Sequence, residues 1–350
     1  MQRNIARAWA QAAAELTGLA EAHPTPVLAP TPRDVVATEG TASLLRFRAP
    51  RDRATGGIPL LLVPSMINRW YVMDLREGAS LCAALVAGGV DTWCLDWGIP
   101  EDEDRHRSWT DVLDRLARMV RRVKRATGAT KVGLLGYCMG GTLSTIHAAL
   151  HNDDLALLVD LAGPIDFSQG GMLRRMVDPR WFDADAIADA GNVAPSQMQA
   201  GFTALRPTLD LAKYIHLPEL IGDPKAQTSF KALDAWASDN IPFPGEAYRT
   251  YITELYQQNA LIHGTHYVRG RRVDLKDITC PALAIVADRD AICPCDSATA
   301  LVTHVGSTDT KVIKVAGGHV GAVVGSRAAR EMYPALVEWL RPRLAIAPPH

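Results

Sequence analysis

The chain has 350 residues, 48% of them hydrophobic and 21% charged. That is long enough to bury a large core, as in an α/β enzyme with one inserted subdomain, and too mixed in composition for a disordered, collagen-like or coiled-coil protein. Lys and Arg number 37 against 38 Asp and Glu, a formal charge of -1, so net charge holds no nucleic acid or anionic membrane and neither is expected as a partner. Six cysteines (Cys82, Cys94, Cys138, Cys280, Cys293 and Cys295) without a CxxC pair argue against a disulfide scaffold or a zinc ribbon. Cys293-Pro-Cys295 lacks the second pair or nearby histidine that a metal site needs, so no metal and no cofactor is expected. Glu15 and Glu21 break up residues 1–22, so no signal peptide is read there. The longest apolar run, Ile58 to Ile67, is interrupted by Pro59 and Pro64 and is about half of the ~20 residues a spanning helix needs. A cytoplasmic protein with no transmembrane segment is expected.

In chain order, Ile5, Trp9, Leu16 and Leu19 recur at helical spacing and predict an amphipathic first helix that ends before the prolines at 24, 26, 30 and 32. Residues 1–30 are read as that helix and a linker. From Ser43 short apolar runs alternate with helical patterns. Strands are predicted at Ser43 to Phe47, Leu60 to Val63, Asp91 to Leu95, Lys131 to Leu135 and Leu155 to Leu161. Helices are predicted near Ser80 to Ala87, at Trp109 to Ala126 and from Cys138 toward Leu150. This is the rhythm of a parallel sheet with helical crossovers. It fails between Asp166 and Asp274, where prolines and helical stretches replace strands, and resumes with strands at Ala282 to Ala287 and Lys311 to Val315. Helices near Asp296 to His304 and Arg327 to Leu340 close the chain. The division expected is an α/β core over 31–165 and 275–345 with a helical cap over 166–274.

Chemistry concentrates at Lys131-Val-Gly-Leu-Leu-Gly136-Tyr137-Cys138-Met139-Gly140-Gly141, an apolar strand entering a glycine-rich turn and then a helix. The pattern G-x-C-x-G-G reads as the nucleophile elbow of an α/β-hydrolase with cysteine in place of serine. Small neighbours allow the strained turn, and the helix start aims N–H groups at the sulfur, which favours thiolate chemistry. The bland alternative is a small buried cysteine in a tight turn. A dinucleotide loop is disfavoured because glycines 133, 136, 140 and 141 do not make GxGxxG.

The hydrolase order places an acid and then a histidine beyond later strands. Asp288-Arg289-Asp290 follows the strand ending at Ala287, and Gly317-Gly318-His319 follows the strand ending at Val315. Cys138, Asp290 and His319 are therefore the candidate triad, with Asp288 competing for the acid role. The other nine histidines lack a glycine turn at a strand end. The oxyanion donors are expected from the backbone of Met139, directly after the nucleophile, and of Ile67, in the loop after the early strand. Asp96 and Asp166 also follow strands and are read as loop or cap residues.

These residues, together with Thr31-Pro-Arg-Asp-Val-Val36, Val63-Pro-Ser-Met-Ile-Asn-Arg69, Leu95-Asp-Trp-Gly98, Pro164-Ile-Asp-Phe167, Gly191-Asn192, Tyr256-Gln-Gln-Asn259, Val273-Asp-Leu-Lys276 and Gly317-Gly-His319, resemble the catalytic subunit of polyhydroxyalkanoate synthases, most like the short class III form. The resemblance implies that Cys138 carries the acyl group, that His319 is the base and that Asp290 is its partner. It implies an (R)-3-hydroxyacyl-CoA substrate, a homodimer or a second synthase subunit, and association with a polyester granule surface. The chain departs from the family at Ala291, where histidine usually follows the acid. A thioesterase or other acyl hydrolase with the same triad is the second reading, and a non-catalytic granule scaffold the third.

Overall fold

The computed structural model describes residues 26–49, 56–205 and 223–345; the first helix expected at Ile5 to Leu19 lies outside them. The strands of the main sheet are Arg33–Glu39 (β1), Ala42–Phe47 (β2), Gly56–Val63 (β3), Val90–Asp96 (β4), Val132–Tyr137 (β5), Leu155–Leu161 (β6), Ala282–Ala287 (β7) and Thr310–Val315 (β8). Their order is β1-β2-β4-β3-β5-β6-β7-β8. β2 runs antiparallel to both β1 and β4, and the pairs from β4 onward are parallel.

The central strands are buried and mostly apolar because helices cover both faces. Alternation within β3 shows how the sheet divides the core. Leu61 and Val63 join one cluster with Leu116, Val120 and Leu143, while Leu60 and Leu62 join the other with Leu85, Leu336 and Leu340. The helices responsible are Leu81–Ala87 (α1), Trp109–Thr127 (α2) and Met139–Leu150 (α3), with the closing helix Tyr333–Leu344 on the α1 side. α2 begins in a reciprocal cap between Ser108 and Asp111 and stops at Gly128, whose φ of 73° is left-handed.

Between β6 and β7 the described elements are mainly helical: Gly171–Met176 (α4), Ala184–Asp189 (α5), Pro195–Leu205 (α6), Pro224–Ser238 (α7) and Gly245–Thr250 (α8). α8 continues into a π-helical turn over Tyr251–Gln257. One pair of two-residue strands, Tyr267–Val268 and Arg271–Arg272, lies in a stretch where none was expected. This layer is fastened to the loop after β3. Trp236 Nε1 donates to the Arg69 carbonyl at 2.9 Å, Tyr71 Oη to Asp239 at 2.6 Å, and Ile241 N–H to the Ile67 carbonyl at 3.3 Å. Helix Cys295–His304 (α9) follows β7, and Tyr333–Leu344 (α10) is preceded by a second π-helical turn at Ala328–Met332. None of the described helices is long and apolar enough to cross a membrane.

Candidate active site

β5 ends at Tyr137 and the chain turns into α3 at Cys138, whose φ of 56° and ψ of -129° side chains rarely adopt. The neighbouring residues explain how such a turn is built. A Cβ on Gly136 would strike the Gly140 carbonyl, one on Gly140 the Val63 carbonyl, and one on Gly141 the Asp160 carboxyl. Three glycines thus let strand, turn and helix close on one another. Cys138 N–H donates to the Leu161 carbonyl at 3.0 Å, and the Cys138 carbonyl accepts from Gly141 N–H at 2.8 Å.

His319 comes from the loop after β8 and is buried beside this turn. Its Nδ1 donates to Asp290 Oδ2 at 2.7 Å. The other oxygen of Asp290 accepts from the N–H groups of Ile292 and Cys293 at 2.8 and 2.9 Å, so the carboxylate is buried, fully paired and fixed in direction. The ring stacks on Tyr137 with centroids 5.3 Å apart. Burial alone would hold His319 neutral, but the sulfur of Cys138 and the carboxylate of Asp290 outweigh it and push its pKa up to about 10.

Asp288 plays another part: it is partly exposed, accepts from Gly317 N–H at 2.7 Å and braces the loop that carries the histidine. Asp96 accepts from Gly98 N–H, and Asp166 accepts from Ser168 N–H and from Asn259 Nδ2, so both hold loops. His147 is packed on His151 inside α3, and burial lowers its pKa to about 3. The thiol of Cys293 is buried and pushed well up, and Cys295 Sγ donates to the Ala287 carbonyl. Among the described residues no group of three or more potential ligands gathers for a metal ion.

Cys138 opens on a cavity of about 490 Å³ under the helical layer, with Ile67 and Met139 in the same wall. Met139 is the first residue of α3, so its N–H belongs to the first turn that lacks intrahelical acceptors. Ile67 N–H makes only a long bond, 3.4 Å, to Ser65 Oγ. Trp97 Nε1 holds this loop by donating to the Pro64 carbonyl at 2.9 Å.

Two site residues were not anticipated. The Tyr137 stack depends on the β8 loop arriving above β5, which spacing does not reveal. Asp160 was hidden within the apolar run of β6; it is fully buried against Gly141 and Gly163, and desolvation drives its pKa well above the ordinary carboxylate value, offset only in part by Gly163 N–H. Its folded state retains a proton that the unfolded chain releases near pH 4, so this group lowers stability as pH rises above that value. We expect Asp160→Asn to melt like the parent at acid pH and increasingly above it as pH rises past the ordinary carboxylate range. Thermal melts across that range check this, and a pH-independent difference would count against it.

An eight-stranded, mostly parallel sheet with a strained strand-to-helix turn at Cys138, an acid after β7 and a histidine after β8 defines an α/β-hydrolase-fold protein with cysteine at the elbow. The family model described as alpha/beta hydrolase fold matches residues 58–325, and the model for the poly-beta-hydroxybutyrate polymerase (PhaC) N-terminus matches residues 14–85. The poly(3-hydroxyalkanoate) polymerase subunit PhaC of Allochromatium vinosum is 34% identical over 89% of both chains. That of Synechocystis sp. is 33% identical over 89% of this chain and 85% of its own. The chain belongs to the poly(3-hydroxyalkanoate) polymerase family. Solved structures show the same fold: a soluble variant of monoglyceride lipase from Saccharomyces cerevisiae (TM-score 0.58, 14% identity, 91% of this chain and 100% of that one) and a putative lipase from Sulfolobus solfataricus (TM-score 0.55, 15%, 89% and 99%).

Proposed function

We propose that this protein is a polyhydroxyalkanoate synthase that polymerises (R)-3-hydroxyacyl-CoA through an acyl group carried on Cys138. The observation that carries this reading is the buried His319 ring, fixed by Asp290 on one nitrogen beside the strained turn at Cys138, with its other nitrogen left without a hydrogen-bond partner. The Cys138 thiolate attacks the thioester carbonyl, and the oxyanion formed is held by the N–H groups of Met139 and Ile67. CoA leaves with the proton from His319, which leaves a neutral imidazole. That imidazole takes the proton of an incoming 3-hydroxyl as its oxygen attacks the acyl-cysteine, and the released thiolate restores the original pair. Thioester exchange costs little energy, and the apolar cavity disfavours water as the competing acceptor.

A second synthase subunit or a second copy of this chain is proposed as partner, supported by the description of the relatives as polymerase subunits. Action in the cytoplasm at a granule surface is proposed from the insolubility of a polyester product. With (R)-3-hydroxyacyl-CoA, and with candidate partner subunits supplied, CoA release is expected together with a sedimenting, chloroform-soluble polyester. Stoichiometric free 3-hydroxy acid without polymer would establish a thioesterase instead, and no CoA release would leave a scaffold.

A further inference from the structure

Asp160 takes no part in the mechanism above, yet it lies directly beneath the elbow. β6 sets it opposite Gly136, it is fully buried, and apart from the Gly163 N–H neither of its carboxyl oxygens has a hydrogen-bond partner. The ionisable groups that act on it are Cys138 and His319, and it acts in turn on the buried Cys293; no Arg or Lys is among them. A carboxylate in that place would lose its hydration with no cation to repay it, so the group stays an acid and carries a donor that needs an acceptor.

The Cys138 carbonyl is placed to be that acceptor. A Cβ built on Gly163 would lie 2.1 Å from Asp160 Oδ1 and 2.7 Å from the Cys138 oxygen, so the two oxygens flank the same bare Cα. The carbonyl already accepts from Gly141 N–H at 2.8 Å, and a carbonyl oxygen has a second lone pair to offer. It also shares a peptide with the N–H of Met139, the oxyanion donor. In a planar trans peptide C=O and N–H point opposite ways, so what holds the oxygen toward Asp160 aims the N–H away from it. With a φ of 56° and a ψ of -129°, Cys138 keeps its conformation only where its surroundings over-determine it.

Resting on the synthase reading above, we propose that Asp160 is a positioning residue for acyl transfer: its O–H donates to the Cys138 carbonyl, fixes that peptide plane and so aims the Met139 N–H at the oxyanion. The same bond polarises the peptide and strengthens its N–H as a donor.

The test compares two reactions of Cys138 in the full chain, with candidate partner subunits supplied. Acylation by (R)-3-hydroxybutyryl-CoA or by p-nitrophenyl acetate passes through an oxyanion, whereas alkylation by iodoacetamide, followed by mass spectrometry on the Cys138 peptide, does not. Asp160→Asn keeps an N–H donor in place and is expected to hold both rates within about threefold of the parent. Asp160→Leu and Asp160→Ala keep none, and each is expected to slow acylation at least about tenfold, part of the 10²–10³ that a lost oxyanion donor costs, with KM and the alkylation rate within about twofold of the parent. Because the two differ in size, either decides the matter if the other fails to fold. Parent-like acylation in them, an equal loss in Asp160→Asn, or alkylation falling in step with acylation overturns the proposal. If the nitrophenyl ester acylates Cys138 and no hydroxyacyl-CoA does, the synthase reading falls and the ranking of the variants on the ester still decides this one. Acylation by neither overturns both.

Discussion

Cys138→Ala is expected to lower CoA release by at least about 10⁴-fold, because what survives the loss of a nucleophile is only the contribution of binding and of the oxyanion donors. The fold should persist. Alanine meets the same backbone demand as cysteine at a φ of 56°, and Cys138 is only partly buried, so thermal melts should stay close to the parent. The variant also removes the sulfur that helps to raise the His319 pKa, so the histidine should titrate lower, which NMR of the ring can follow. Full CoA release in Cys138→Ala would show that the chemistry runs through another group.

Asp290→Asn is expected to cost on the order of 10⁴ in turnover, the scale known for the equivalent change in the serine-protease triad. The reason is geometric. One oxygen of Asp290 already accepts from Ile292 and Cys293 N–H, so asparagine keeps its oxygen there and turns its NH₂ toward His319. Nδ1 must then accept, the remaining ring proton moves to Nε2, and the nitrogen facing Cys138 can no longer take a proton from a hydroxyl. Asp288→Asn should change turnover little, since an amide oxygen can still accept from Gly317 N–H. Steady-state rates of the two variants, measured side by side, decide the matter; the reverse ranking would transfer the acid role to Asp288.

Sequence patterning located β6 and β7 to the residue, because short, mostly apolar runs flanked by polar turns leave few alternatives for a strand buried on both faces. It missed β1. Arg33–Glu39 is an edge strand with mostly exposed side chains, held by its pairing with β2, and a strand without a buried face leaves no apolar period to read. The end of β5 was placed two residues early because Gly136 looks like a turn, yet it still pairs with Asp160; its lack of a side chain serves close packing against α3 rather than a break in the strand. α10 runs on to Leu344 through Pro342, past the expected end at Leu340. The candidate triad was legible because an elbow, an acid and a histidine each sit just past a strand, and that order survives any error in the lengths between them. Contacts made across the sheet, such as Tyr137 on His319 or Asp160 beneath Gly141, have no counterpart in spacing.

The central claim is that the growing acyl group is carried on Cys138. Protein mixed with a slow-turnover 3-hydroxyacyl-CoA analogue, quenched in acid and digested, should show by mass spectrometry one acyl adduct on the peptide containing Cys138, formed in step with CoA release and lost in Cys138→Ala. An adduct on Cys293, Cys295 or any other peptide, or one that persists in Cys138→Ala, would contradict it.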